Sequence, residues 1–217
     1  MAESFETGGM ILRSESYGEY DRRVVILSVD AGKITAFARG ARRQSNRLMA
    51  ATDLFIYADF RLFPGRNAYS MTDAAVKNYF PELRADYEAV FFGMYFLEVM
   101  EHFTRENNDE RDNLKLLYQA CRAITHPAYD RRLVKTVFDL KALMLQGSFH
   151  RDLYETGYSD TARYTLDFLL RTSAEKVFGF TVKDEVKGEL ERIAAAENRL
   201  SNEGHRYKSE EMLKTLL

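Results

Sequence analysis

Up to about residue 80 the apolar residues of this sequence return at every second position, and after Pro81 they return every three to four. A period of two belongs to strands with one buried face, and a period near 3.6 belongs to helices. The change happens once, so the chain reads as α+β with a β-barrel first and an all-helical part after it. No glycine- or proline-rich linker divides the halves, and there is no internal repeat. The expected organisation is a barrel domain over 1–80 packed directly on a helical domain over 81–217.

Five strands are predicted, over 10–17, 22–29, 33–40, 54–63 and 68–76. Gly18, the Asp30-Ala31-Gly32 turn and the Pro64-Gly65-Arg66-Asn67 turn separate them. In the fourth, Leu54, Ile56, Ala58, Phe60 and Leu62 make one wholly apolar row, the core face, with Asp53, Phe55, Tyr57, Asp59 and Arg61 on the other. In the third, Ile34, Ala36 and Ala38 face the core, leaving Lys33, Thr35, Phe37 and Arg39 outside. The competing arrangement puts Phe37 in the core and the alanines outside, because small barrels have tight corners. Five antiparallel strands with this loop placement suit an OB-type barrel, whose second and third strands and flanking loops bind single strands, although other small barrels give a similar pattern. Helices are expected over 86–103, 113–124, 131–146, 161–170 and 183–198, with Gly147 ending the third of them.

The net charge of −2 is unpromising for a nucleic-acid partner until the charges are placed along the chain. No acid lies between Asp30 and Asp53, while Lys33, Arg39, Arg42, Arg43 and Arg47 all do. A groove that tracks phosphates needs several cations within reach of one strand and its loop, plus rings on which bases stack. Guanidinium groups suit phosphate because they donate two parallel hydrogen bonds. The five cations and Phe37 supply both, with Tyr57 a further candidate ring; the competing reading is a solvated loop that is merely rich in arginine. RNA is as acceptable to such a surface as DNA.

Other chemistries find little support. Cys121 is the single cysteine, so neither an internal disulfide nor a site of several thiolates is available, and mid-helix beside Ala120 and Ala123 it reads as a buried, inert thiol. Glu98, Glu101 and His102 share a helix, but no matching carboxylate and histidine pair lies elsewhere, as a metal site in a bundle requires. The aromatic pairs Phe91-Phe92 and Tyr95-Phe96 read as packing. No nucleophile elbow or glycine-rich phosphate loop occurs, so no enzyme activity, metal or cofactor is expected. No run of about 18 uncharged apolar residues is present, which excludes a membrane-spanning helix. Glu3 and Glu6 stand where a secretion signal carries positive charge, so a cytoplasmic location is expected.

Taken in order, several stretches resemble the bacterial DNA repair protein RecO family. GKITAFARGARRQSNRLMAATDLF resembles its third strand, G-A-R turn and basic loop; YGEYDRRVVILS resembles its opening Tyr-Gly-Glu turn; the Pro64-Gly65-Arg66 turn also fits. YFLEVMEHF, FDLKALMLQG and KSEEMLKTL continue the likeness through the helices, so that it spans nearly the whole chain. The resemblance implies an N-terminal OB domain on a helical domain and a mediator of recombinational repair. Such a protein binds single- and double-stranded DNA, anneals complementary strands and, with RecR, helps load RecA on DNA coated by single-strand-binding protein. It also implies association with the bacterial nucleoid. The implied DNA contacts are Lys33, Arg39, Arg42, Arg43 and Arg47, with Arg66 added from the turn. The family's patch for the acidic tail of single-strand-binding protein reads here as Arg131, Arg132 and Lys135. One departure is plain: SFHRDLYETGYSD has no cysteine where many relatives carry a zinc lobe. A protein-interaction module built on the acidic helical half, with a purely structural barrel, is the rival from a different class.

Overall fold

β1 (Phe5–Tyr17) and β2 (Asp21–Ser28) form an antiparallel hairpin around a turn that begins at Gly18, whose φ of 58° is left-handed. The computed structural model that shows this describes residues 3–201 and 205–216. β2 turns through Val29–Ala31 into β3 (Gly32–Ala38), again antiparallel. At Gly32 φ is 63°, and a Cβ there would stand 2.4 Å from the carbonyl oxygen of Arg105, so only glycine fits. β4 (Tyr57–Phe63) pairs antiparallel with β1 on one side and with β5 (Tyr69–Asn78) on the other. The barrel then closes in the order β1-β2-β3-β5-β4 through a short parallel seam of Ala36↔Tyr69, Phe37↔Ser70 and Ala38↔Met71. The expectation of wholly antiparallel strands is corrected at that seam.

The barrel interior holds Ile11, Val24, Ile26, Ile34, Phe60 and Leu62 with the small Ala36, Ala38 and Ala58 between them. The expected core rows of β3 and β4 are therefore the observed ones. β1 carries a bulge: Ile11 lies opposite Ile26, but Arg13, two residues on, lies opposite Val25. The extra residue flips the alternation, so Ile11 faces the core while Arg13, Glu15 and Tyr17 occupy the outer face.

Two expectations fail between β3 and β4. The fourth strand begins at Tyr57 and not at 54, because Phe55 takes φ 65°, which breaks the extended run. Leu54 still packs against the core and Ile56 still belongs to it, while Phe55, expected on the outer row, is buried. The stretch before it folds as one helical turn, α1 (Leu48–Ala51), whose Leu48 joins the barrel core. Asn46 caps the entry by accepting from Leu48 N, and the Thr52 hydroxyl donates back to the Leu48 carbonyl at 2.7 Å.

After β5 come α2 (Pro81–Ala85), α3 (Tyr87–Phe103), α4 (Arg111–Ala123), α5 (Arg131–Leu145), a 3-10 turn at Arg151–Tyr154, α6 (Asp160–Arg171), α7 (Asp184–Ser201) and α8 (Lys208–Leu216). The chain divides into two compact units. One holds the barrel together with Leu97–Leu114; the other holds Glu82–Phe96 and the remainder from Lys115. In the second unit α5 is buried almost throughout Leu133–Leu143, and the Phe96 and Phe138 rings meet at 4.3 Å. Asp130 caps α5 by accepting from the backbone of Arg132 and Leu133, and Ser159 caps α6. Gly147, at φ 68°, stops α5 as expected.

Candidate nucleic-acid interface

The acid-free window divides into residues that are held and residues that are free. Lys33 lies on the outer face of β3, half-buried, and its ammonium donates to the Glu101 carbonyl at the end of α3. Burial pushes its pKa down, with the Glu101 carboxylate opposing that shift. Its charge is thus directed at a helix C-terminus and away from open solvent. Arg47 is exposed but spans to Asp73 at 3.2 Å and to the Thr72 carbonyl.

The three arginines between them differ. Arg39, Arg42 and Arg43 are exposed, and none forms an ion pair with a carboxylate among the described residues. Arg42 is oriented by donating to the Gly18 and Glu19 carbonyls at 3.3 and 3.0 Å, and its backbone N–H donates to the Tyr20 carbonyl. Arg43 lies over the Tyr20 ring at 4.5 Å. Asp21 caps the loop by accepting from Gly40 N. The loop is thus fixed to the β1–β2 turn through carbonyls and a ring, interactions that leave each guanidinium charge unneutralised.

The remaining cations of the barrel strands show the contrast. Arg22 pairs with Asp53, Arg61 with Glu6, Lys77 with Asp59, Arg13 with Glu101 and Arg23, loosely, with Glu15. Arg66, in the β4–β5 turn, is exposed and unpaired among the described residues, as Arg39 is. Four arginines, 39, 42, 43 and 66, therefore carry positive charge that no carboxylate of the described chain offsets.

Phe37 faces outward, opposite Arg23 on β2, so the arrangement with Phe37 in the core is excluded. It contacts Tyr17 of β1, ring centroids 4.7 Å apart, and the two border a groove of about 580 Å³ that also meets Arg23, Arg66 and Asn67. Tyr17 and Arg23 escaped the sequence reading. The signal for them was their alternation on β1 and β2, but using it required the bulge and the cross-strand register.

In the helical unit the expected patch is split. Arg131 is enclosed by Asp86 and Glu88, a pairing internal to the fold. Arg132 meets Glu191 at 2.9 Å and Lys135 meets Asp139 at 2.7 Å while lying 4.2 Å from the Tyr95 ring centre. Asp139 is buried and its carboxyl is pushed up by that burial, against the opposing pull of Lys135 and the Tyr95 hydroxyl. Arg132 and Lys135 line a cavity of about 600 Å³ of mixed charge, with Arg199, Arg206 and Lys214 beside the acids Asp139, Glu191 and Glu210.

Cys121 is fully buried, and burial pushes its thiol well up, into the unreactive range. Among the described residues no three histidine, cysteine, aspartate or glutamate side chains converge as a metal site would need, and no helix is long and apolar enough to cross a membrane.

Comparison with known proteins adds an independent line. Residues 1–80 match the family described as "Recombination protein O N terminal". The chain is 33% identical over 142 residues to the DNA repair protein RecO of Alkaliphilus metalliredigens, a match covering 65% of this chain and 58% of that protein. It is 28% identical over 221 residues to the RecO of Clostridium perfringens, covering 88% and 89%, and 23% identical over 219 residues to that of Clostridium novyi, covering 87% and 86%.

Proposed function

We propose that the chain, whose residues 1–80 match the family of recombination protein O N-terminal domains and which is similar to RecO proteins along most of its length, is a recombination mediator whose barrel holds DNA by its unneutralised arginines. Its part in DNA repair is non-enzymatic. The finer activities follow the family: binding of single- and double-stranded DNA, annealing of complementary strands, and help, with RecR, in loading RecA on DNA coated by single-strand-binding protein. Such work places it on the nucleoid in the bacterial cytoplasm. The domain division that goes with it is a DNA-binding barrel over 1–80 and a helical domain over 81–217.

The observation that carries the reading is the contrast in charge pairing. Most of the cations on the barrel strands meet a carboxylate, whereas Arg39, Arg42, Arg43 and Arg66 meet none among the described residues. Unpaired guanidinium groups, of which Arg42 is oriented by carbonyls and Arg43 by a ring, have no internal charge to leave when a phosphate arrives. Arg42 and Arg43 act as phosphate contacts, Arg39 and Arg66 extend the track, and Lys33 and Arg47 support it from within. Binding to an oligonucleotide at low salt, followed as salt is raised, tests this. Affinity that is absent at low salt, or indifferent to Arg42→Ala with Arg43→Ala, overturns it.

A second surface is favoured by one specific observation, a cavity where Arg199 and Arg206 meet no carboxylate among the described residues, while Arg132, Lys135 and Lys214 on its wall pair with Glu191, Asp139 and Glu210. Two unpaired guanidinium groups in a concave site suit an acidic peptide, such as the acidic tail of single-strand-binding protein. Arg131 has no share in it, being occupied by Asp86 and Glu88. Pull-down of single-strand-binding protein from nuclease-treated lysate, lost on Arg199→Ala with Arg206→Ala, is the expected result; capture that depends on nucleic acid counts against this surface.

A further inference from the structure

The groove beside Phe37 differs in kind from the arginine loop. Tyr17 is 53% exposed, and its ring meets that of Phe37 at a tilt of 54°. Around this pair stand Arg23 and Arg66, and the short polar groups of Thr35 and Asn67. The one acid on the wall, Glu15, is shared between Arg13 at 3.6 Å and Arg23 at 3.8 Å, which leaves Arg66 as the groove's guanidinium without a carboxylate among the described residues. A half-exposed ring, the unpaired guanidinium of Arg66 and the neutral hydrogen-bonding groups of Thr35 and Asn67 match the three parts of a nucleotide: a π-face, a phosphate and a polar base edge.

Resting on the reading of the barrel as a DNA-binding surface, we propose that this groove seats unpaired bases on the Tyr17–Phe37 pair and is what favours single strands over duplex. The reason is physical. In a duplex both faces of each base are covered by neighbouring base pairs, so a protein ring gains nothing there without unstacking. An unpaired base offers its face at little cost. The loop arginines, by contrast, see only phosphate and attract either form of DNA. The surface thus has two parts, a loop indifferent to strandedness and a groove that is sensitive to it.

The test compares the whole chain with its Tyr17→Ala and Tyr17→Phe variants on three probes of equal length: an oligothymidylate, a duplex, and a strand whose sugars carry no bases. Tyr17→Ala should weaken oligothymidylate binding about fivefold or more, the lower end of what one base–ring stack supplies. The duplex and the abasic strand should stay within about twofold, since stacking contributes to neither. Tyr17→Phe keeps the ring and should keep wild-type affinity for all three. Equal losses on every probe, or none on any, overturn the groove proposal while the DNA-binding reading stands. Failure of the wild-type chain to bind any probe at low salt overturns both.

Discussion

Replacing Arg42 and Arg43 together by alanine removes two of the four barrel arginines that no carboxylate neutralises. Each phosphate contact on a single strand contributes about 0.7 to the slope of log affinity against log salt. Four such contacts give a slope of about 2.8, so affinity should fall about 50-fold between 50 and 200 mM salt. With two contacts gone the slope is about 1.4 and the fall only about sevenfold; on duplex the change in slope is nearer 1.8. The fold should tolerate the change within about 0.5 kcal/mol, because both side chains are exposed. The control is a matched pair: Arg61 donates twice to Glu6, at 2.9 and 2.6 Å, so Arg61→Ala with Glu6→Ala removes no net charge. Fluorescence anisotropy on a labelled oligonucleotide across a salt series reads all three proteins. If the control pair lowers the slope as much as the arginine pair does, unneutralised charge is not what binds DNA.

Three further outcomes concern the scaffold. Phe60→Ala empties the middle of the barrel core, where Phe60 is fully buried, and should cost about 3–5 kcal/mol in urea unfolding; a cost under about 1 kcal/mol would mean the barrel is not packed as described. Gly32→Ala meets the Arg105 carbonyl and a left-handed backbone at once, so it should destabilise by more than about 1 kcal/mol, the strain alone; a neutral result refutes the approach of residues 104–107 to β3. Asp86 accepts from Ala89 N at the start of α3 and pairs with Arg131, which together hold its carboxyl below the ordinary value. A depressed folded pKa gives stability that is present above the unfolded value and lost as pH falls through the folded one. Asp86→Ala should therefore cost about 0.5–2 kcal/mol at pH 7 and progressively less below about pH 4, read by thermal unfolding across pH; a difference that stays constant into acid excludes the carboxylate as its source.

Much of this was legible because the signals are local. The Ile34, Ala36, Ala38 row, the Ala58, Phe60, Leu62 row and the turn glycines need only neighbouring residues to be read, and so did the helices around the FDL and aromatic stretches. What escaped depends on contacts distant in sequence. Lys33 looks like any strand cation until Glu101, 68 residues away, supplies its carbonyl. Arg131 looks free until Asp86 and Glu88 close on it. Tyr17 and Arg23 belong to the groove only once the bulge after Ile11 has set their face. The turn of helix at Leu48–Ala51 is too short to show a period, and Phe55 hides its break inside a sequence that otherwise alternates cleanly.

Leu48 connects two properties that are usually measured separately. The arginine loop ends on α1, and α1 is fastened by Leu48 inside the barrel, so the loop hangs between β3 and a buried anchor. Its conformational freedom is therefore limited before any DNA arrives, and association does not have to order it. A substitution at Leu48, out of reach of any phosphate, would slacken the loop and raise the dissociation rate without altering a single charge. On the proposed reading of the loop as a DNA contact, affinity is in that sense a readout of how well a hydrophobic plug is seated.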